Sequence, residues 1–195
     1  MTALSKNSKL TIKDVNINPT RIGVLKILKI MGVKITINNK RQYKGEKIAN
    51  LTVKSKKNLL PINCPTKFNS AAIDEFLLIF LVAAKANGIS YFKGLSELNQ
   101  KESPRLFWGA KILKMMGIKT IVTEDSIKIF GNPNLKVKKK IYIKNFLKDH
   151  RVFMTSVVAA LIFGGKKWEI FDKDSIKTSF PSFLDKIKSL GAEID

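Results

Sequence analysis

Three segments of the chain share one pattern of apolar and polar positions. In each, apolar residues recur at helical spacing, and the helix is followed by a glycine and then by a strand-like segment. The segments end at Met31-Gly32-Val33, Met116-Gly117-Ile118 and Leu190-Gly191-Ala192. A short strand and a polar loop precede each helix, so the pattern predicts one strand–helix–strand unit repeated along the chain.

A second type of helix is predicted at residues 72–86 and 149–163. Both segments are apolar on nearly every side beyond their first turn, which is typical of buried helices. The repeated order of helix, strand, helix, strand, strand predicts an α/β (α+β) fold built from three βαβαββ-type units. The predicted strands are residues 10–15, 34–37, 51–54, 90–92, 120–122, 126–130, 140–143 and 168–171.

No Pro- or Gly-rich linker divides the chain. We therefore expect a polar N-terminal stub at residues 1–9 and a single domain at 10–195, with units at about 10–70, 71–135 and 136–195. The first unit lacks the buried helix that precedes the strand in the other two. The repeat thus predicts that the chain begins in the middle of something larger.

The net charge of +21 raises the question of a polyanionic partner. Only four of the 36 cationic residues are arginine, however, and the lysines are spread along the whole chain. Nucleic-acid sites usually favour arginine forks and interleaved aromatic residues. We interpret the lysines as solvent-facing and expect neither nucleic acid nor a membrane as partner. A non-catalytic basic domain that binds polyanions stays open as an alternative, as does a truncated gene product.

Cys64 is the only cysteine, so the sequence offers no disulfide and no thiolate metal site. This fits a reducing cytosol, and a lone cysteine is more often structural than nucleophilic. The first residues lack the apolar core of a signal peptide, and the apolar runs at residues 76–84 and 152–163 are too short to span a bilayer. We expect a soluble, cytoplasmic protein.

The candidate functional side chains share one position, at or just before a predicted helix N-terminus. Ser103 and Pro104, for example, form the predicted N-cap and first residue of one helix. If the units pack with threefold pseudo-symmetry, these ends converge on one face that suits phosphate or carboxylate ligands and proton transfer. The set comprises Asp74, Lys101, Glu102, Arg105, Asp149, His150, Arg151, Lys177, Thr178 and Ser179.

Structural interpretations of the same residues remain open. Asp74 and Asp149 could be helix caps only, and Glu102 and Arg105, three residues apart, could form a surface ion pair. His150 is the only histidine, and a lone histidine more often forms structural hydrogen bonds than acts as a catalyst. No metal-binding constellation, P-loop or GxGxxG motif is present in the sequence.

The ordered motifs around these residues resemble those of the 5-enolpyruvylshikimate-3-phosphate synthase family. The resemblance runs from about residue 10 to the C-terminus and rests on Asn18-Pro19-Thr20-Arg21 with Gly23, Ile73-Asp74-Glu75-Phe76, Lys101-Glu102-Ser103-Pro104-Arg105, Asp149-His150-Arg151-Val152-Phe153-Met154 and Thr178-Ser179-Phe180-Pro181. The fold that it implies is the inverse α/β barrel of enolpyruvyl transferases, with two domains of three βαβαββ units each. This chain would be most of the C-terminal domain.

The resemblance also implies a reaction. Family enzymes transfer the enolpyruvyl group of phosphoenolpyruvate to the 5-hydroxyl of shikimate 3-phosphate, in the shikimate pathway to aromatic amino acids, without metal or cofactor. Asp74 is implied as the proton acceptor from that hydroxyl, and Glu102 as the partner in protonating the enolpyruvyl methylene. The implied substrate-binding side chains are Lys101 for shikimate 3-phosphate, and Arg105, His150 and Arg151 for phosphoenolpyruvate.

The sequence departs from the family pattern at single positions. Pro104 stands where the family usually has Asp, and Leu77 where it usually has Pro. Thr178 stands where some members have a lysine that contacts phosphoenolpyruvate, and Lys177 is one residue away. The implied N-terminal domain, with its own lysine, arginines and serine-rich phosphate site, lies outside this sequence. We therefore expect negligible activity from the chain alone unless a separate N-terminal half complements it.

Overall fold

The computed structural model describes residues 1–194. Its strands are β1 (Lys9–Asn16), β2 (Lys34–Tyr43), β3 (Glu46–Lys54), β4 (Ile89–Phe92), β5 (Thr120–Val122), β6 (Ile127–Phe130), β7 (Lys140–Ile143) and β8 (Lys167–Ile170). Its α-helices are α1 (Gly23–Ile30), α2 (Asn69–Ala72), α3 (Phe76–Ala84), α4 (Arg105–Met115), α5 (His150–Phe163) and α6 (Phe183–Ser189). Short 3-10 turns lie at Thr66–Phe68, Ile73–Glu75, Ser96–Gln100 and Lys173–Ile176.

Two antiparallel sheets have the same strand order and confirm the repeat for the first two of its three copies, whereas no strand follows Gly191 in residues 192–194. In the first, β3 lies between β1 and β2, and in the second, β6 lies between β4 and β5. In each unit the chain forms a strand, then a helix, then a hairpin whose second strand pairs with the first strand. The strands of the first hairpin are longer than predicted. The outer part of β2 is exposed and polar, so it lacks the apolar alternation from which a strand is predicted.

Parallel pairing accompanies the buried helices. β7 pairs in parallel with β8 across α5, with Ile141 opposite Trp168. Before α3, Leu59 and Asn63 form parallel bridges to Ala86 and Tyr91, so the segment at residues 59–64 runs beside β4 in the same way. This segment was not predicted, because Pro61 interrupts it and Pro65 follows it, and proline is rare inside paired strands. The predicted unit boundaries near residues 70 and 135 stay a prediction.

The glycines that end the repeated helices adopt the predicted left-handed conformation. The φ angles of Gly32, Gly117 and Gly191 are 87°, 92° and 91°. At Gly117, its N–H donates to the Lys114 carbonyl and the next N–H donates to the Leu113 carbonyl. The same pair of bonds closes the other two helices, which is the Schellman arrangement that only glycine adopts without steric strain.

The core is organised around α3 and α5. Phe76 and Phe80 of α3 are fully buried and pack with Phe92 of β4, with ring centroids 5.3–6.0 Å apart. Helix α4 approaches α3 closely at Gly109, where an added Cβ would lie 2.7 Å from the Phe80 ring. This close approach of α3 and α4 fixes the position of the α4 N-terminus.

The predicted helix at residues 72–86 is wrong at its start. The backbone leaves the helical conformation at Ala72, with φ −131°, and a 3-10 turn at Ile73–Glu75 follows before α3 begins. The backbone of α2 is held here by close packing, since a Cβ added to Gly23 of α1 would lie 2.7 Å from the Ala71 carbonyl carbon. The break places Asp74 in the 3-10 turn rather than in the first turn of α3.

In the described part of the chain, residues 1–194, no helix combines the length and apolar character needed to cross a membrane.

Candidate functional site

Arg105, the first residue of α4, lies at the centre of a cluster of charged side chains. Its side chain is only 3% exposed, yet it contacts three carboxylates. Nη1 lies 3.2 Å from Asp74 Oδ1, Nε lies 2.9 Å from Asp149 Oδ2, and Nη2 forms an ion pair with Glu102. The turn before α3, the loop before α4 and the start of α5 therefore meet at one guanidinium, as the repeat predicted.

Arg151, in the first turn of α5, extends the cluster. Its Nη1 donates to the backbone carbonyl of Asp74 at 2.6 Å and lies 3.4 Å from Glu75 Oε1. Its Nη2 lies 3.5 Å from Asp74 Oδ2. The two oxygens of Asp74 thus face two different arginines, and the predicted proton acceptor lies between the two arginines among the three residues predicted to bind phosphoenolpyruvate.

The pKa values of two carboxyl groups in the cluster, Glu75 and Asp149, are shifted in opposite directions. Burial raises the pKa of the Glu75 carboxyl above its ordinary value, while the charges of Arg151 and Arg21 act in the other direction. For Asp149, burial opposes ionisation, but hydrogen bonds from Arg105 and Ser103 together with the Arg105 charge outweigh it. The pKa of Asp149 therefore lies below its ordinary value, and this buried carboxyl is held as an anion.

The structure separates the two predicted caps. Asp149 is the N-cap of α5, since its side chain accepts hydrogen bonds from the N–H groups of Arg151 and Val152. Asp74 caps nothing and forms ion pairs instead. The alternative of a surface ion pair for Glu102 and Arg105 is wrong for Arg105, which is buried, although the pair itself is present.

The prediction that Ser103 is the N-cap of α4 is wrong. The residue at that position is Pro104, with ψ 78° and no side-chain capping bond, and the helix begins one residue later than predicted, at Arg105. The Ser103 hydroxyl donates to Asp149 Oδ2 at 2.8 Å instead. The contact observed for the Ser103 side chain is therefore with a buried carboxylate 46 residues away in the sequence.

Other predicted side chains lie outside the ion-pair cluster. Lys101 Nζ pairs with Glu97 at 2.8 Å, and Lys177 Nζ pairs with Asp174 at 3.1 Å. His150 is the first residue of α5 and is partly buried. Within residues 1–194, no hydrogen bond or ion pair joins Lys177, Thr178 or Ser179 to the cluster, although all three follow a 3-10 turn beside α5.

Arg21 also lies close enough to act on the cluster, although it was not among the predicted site residues. It is exposed at the end of the loop before α1, and its charge acts on Glu75. The loop is shaped by Asn18, whose side-chain oxygen accepts hydrogen bonds from both the N–H and the hydroxyl of Thr20. Its position in the repeat could have identified Arg21, since this loop precedes the first repeated helix as residues 101–105 precede the second.

The arrangement offers two chemical functions side by side. Guanidinium groups of Arg105 and Arg151 suit bidentate binding of phosphate or carboxylate. Asp74 and Glu102 are both partly exposed, at 33% and 53%, so they can reach a ligand. In residues 1–194, no group of three or more His, Cys, Asp or Glu side chains is placed to hold a metal ion.

The fold is that of the enolpyruvyl transferases. The structure superposes on the enolpyruvyl transferase NikO from Streptomyces tendae with a TM-score of 0.74 at 18% sequence identity, covering 100% of this chain and 41% of that one. An EPSP synthase structure from Acinetobacter baumannii superposes with a TM-score of 0.91 at 34% identity, covering 100% and 44%.

The sequence model of EPSP synthase (3-phosphoshikimate 1-carboxyvinyltransferase) matches residues 1–187, and the chain belongs to this family. The 3-phosphoshikimate 1-carboxyvinyltransferase of Ruthia magnifica subsp. Calyptogena magnifica is 38% identical over 99% of the chain, and that of Zymomonas mobilis 39% over 96%. The chain spans 43% and 42% of these two relatives, which is less than half of their length. The family assignment favours the enzymatic interpretation over the polyanion-binding one.

Proposed function

We propose that this chain carries part of the site that transfers the enolpyruvyl group of phosphoenolpyruvate to the 5-hydroxyl of shikimate 3-phosphate. One observation carries the proposal: the two oxygens of Asp74 face Arg105 and Arg151. In the proposal, the proton acceptor therefore lies between the two arginines that bind phosphoenolpyruvate. The family assignment supplies the reaction.

The side chains of the cluster divide the reaction between them. As the 5-hydroxyl oxygen bonds to C2 of phosphoenolpyruvate, Asp74 accepts its proton, while Glu102, the more exposed acid, delivers a proton to the methylene carbon. Phosphate then leaves C2 and the methyl group returns a proton to a carboxylate, which restores the enolpyruvyl double bond. Arg105 and Arg151 bind the carboxylate and phosphate of phosphoenolpyruvate and fix the carbon under attack. Lys101 and His150 complete the proposed substrate contacts, with Lys101 released from Glu97 to reach shikimate 3-phosphate.

Substrate binding requires an exchange of partners at Arg105. Three carboxylates surround its guanidinium in the described structure, so its N–H groups are already occupied. An incoming carboxylate or phosphate takes the place of Glu102 and Asp74 at the guanidinium, which frees both acids for proton transfer. The same event that binds phosphoenolpyruvate thus prepares the catalytic carboxylates.

We further propose that the complete site includes the region that the curated relatives contain and this chain does not span. In those relatives more than half of the length lies outside the matched part. That region acts from a separate N-terminal half or from the same polypeptide, and it closes over the Arg105 cluster so that both substrates are held away from water. The cytoplasmic location stays a prediction.

The test is a reconstitution assay. The chain is mixed with a polypeptide that covers the unmatched part of the Acinetobacter baumannii EPSP synthase, and phosphate release is followed with both substrates present. We expect phosphate release that requires both polypeptides and both substrates. Assembly of the two polypeptides, shown by co-elution, without any phosphate release would contradict the proposal.

A further inference from the structure

We propose that Asp149 is the positioning residue for both arginines of the cluster, and that Ser103 holds its carboxylate in place. Asp149 is the permanent partner of Arg105, whereas Asp74 and Glu102 are partners that a ligand replaces. The identity of the ligand that the two arginines bind rests on the function proposed above. The positioning itself is a statement about side-chain geometry and can be tested separately.

The first observation is burial. The side chain of Asp149 is 0% exposed, and Ser103 and Arg105 are also buried. Few polar side chains of the described residues lie so deep, and Asp149 forms hydrogen bonds with both of the others. Since a buried charge without partners is strongly destabilising, their mutual contacts must be maintained for the fold to persist.

The second observation is that the two oxygens of Asp149 have different partners. Oδ2 accepts the Ser103 hydroxyl at 2.8 Å and Arg105 Nε at 2.9 Å. Oδ1 accepts the backbone N–H of Arg151 at 2.8 Å, with Val152 N–H and Arg105 Nη2 both at 3.4 Å. A single carboxylate therefore sets the orientation of the Arg105 side chain and the position of the helix turn that carries Arg151.

The third observation is an asymmetry around the guanidinium. Nε faces the inaccessible Asp149, while Nη1 and Nη2 also face Asp74 and Glu102, whose side chains are 33% and 53% exposed. An anion arriving from solvent can replace the exposed acids, because each of them regains water. It cannot replace Asp149, which would be left buried without a partner. Arg105 thus presents a fixed edge inward and an exchangeable edge outward.

Electrostatics supports the same division. The hydrogen bonds from Arg105 and Ser103 keep the pKa of Asp149 below its ordinary value in spite of burial. The Ser103 hydroxyl donates one of these bonds, so the neutral serine favours the ionised form of Asp149 as the Arg105 guanidinium does.

The experiment uses the NMR signals of the arginine Nε–Hε groups in the full chain. The four arginines give at most four such signals, so Arg105 can be assigned by substitution. In the unsubstituted chain we expect slow solvent exchange at Arg105 Hε. In Asp149→Asn we expect that exchange to be faster by about two orders of magnitude, together with a shifted Arg151 backbone amide.

The matched control is Asp14→Asn. Asp14 also pairs with an arginine, Arg41, at 2.6 Å, but both side chains are about half exposed. This variant should change the Arg41 signal alone and leave Arg105 as it was. Unchanged Arg105 exchange in Asp149→Asn would overturn the proposal.

Ser103→Ala keeps the experiment decisive if Asp149→Asn does not fold. It removes one hydrogen bond to the carboxylate and leaves the charge pair intact. We expect Arg105 Hε to exchange about tenfold faster in this variant. Exchange at the rate of the unsubstituted chain would contradict the role given to Ser103 and Asp149.

A kinetic measurement in the reconstituted enzyme completes the test. Because the Asp149 side chain is 0% exposed and acts through the arginines, loss of its charge should raise the KM for phosphoenolpyruvate by about tenfold or more with a smaller change in kcat. The KM for shikimate 3-phosphate should change little. An equal loss for both substrates would indicate a general structural role instead. The NMR result does not depend on catalysis, so it stands even if the proposed reaction fails.

Discussion

Arg105 Nη1 lies 3.2 Å from Asp74 Oδ1, although 31 residues separate them in sequence. The contact joins the turn before α3 to the first residue of α4. Two features of the chain produce it: the break at Ala72, which places Asp74 in a 3-10 turn ahead of α3, and the close approach of α4 to α3 at Gly109. The geometry of the site is thus a direct result of how the repeated units pack.

Replacement of Arg105 by lysine should destabilise the chain. A lysine ammonium is a compact charge and cannot hold Asp74, Glu102 and Asp149 at once, so a buried carboxylate loses its partner. We expect a loss of about 3 kcal/mol in the free energy of unfolding, measured by urea denaturation.

The control for that substitution is Arg41→Lys. Arg41 pairs with Asp14 on the surface, where ion pairs contribute roughly 0–1 kcal/mol. We expect its unfolding midpoint to stay close to that of the unsubstituted chain. Equal losses for the two variants would mean that the buried cluster has no special role in stability.

The Glu75→Gln variant should show a pH-dependent gain in stability. Burial raises the pKa of Glu75, so the folded chain binds this proton more tightly than the unfolded chain does. Stability therefore falls as pH rises from the ordinary value of about 4.3 through the raised value. A neutral glutamine removes this loss, and the variant should have a higher Tm than the unsubstituted chain at pH 7, with a smaller difference at pH 4.

The exposed Glu124 offers a matched control. In Glu124→Gln the difference in Tm from the unsubstituted chain should be the same at both pH values. For Glu75→Gln, a difference that is larger at pH 4 than at pH 7 would show that the pKa of Glu75 is lowered instead.

Cys64 should react slowly with thiol reagents. It is 3% exposed, and burial raises its pKa to about 11, so the thiolate is scarce at pH 8. We expect labelling of the folded chain by iodoacetamide to be at least about a hundredfold slower than labelling in urea. Labelling of the folded chain at the rate seen in urea would revive the nucleophile interpretation.

The sequence predicted those parts of the fold that depend on local chemistry. Gly117 follows an apolar helix and needs positive φ, so the end of α4 was readable from the residues alone. The start of α4 was not, because the helix begins at Arg105 and Ser103 lies ahead of its N-cap. The contact that Ser103 does make is with Asp149, which lies 46 residues away and cannot be inferred from the local pattern.

The same limit applies to the site. The side chains of Asp74, Glu102, Arg105 and Arg151 were identified from their positions before helices, and the structure brings them together. The importance of Asp149 could not be predicted, since an N-cap aspartate and a buried ion-pair aspartate look alike in sequence. Burial distinguishes them, and burial depends on the packing of α4 against α5.

The most direct test of the central claim compares Arg105→Ala with Arg41→Ala in the reconstituted enzyme. If the cluster around Arg105 forms part of the transfer site, Arg105→Ala should lower kcat/KM for phosphoenolpyruvate by about a hundredfold or more, since an arginine clamp on a substrate anion is worth several kcal/mol. Arg41→Ala should stay within about twofold of the unsubstituted chain, because its pair with Asp14 is exposed and of little energetic weight. Equal kcat/KM values for the two folded variants would contradict the claim.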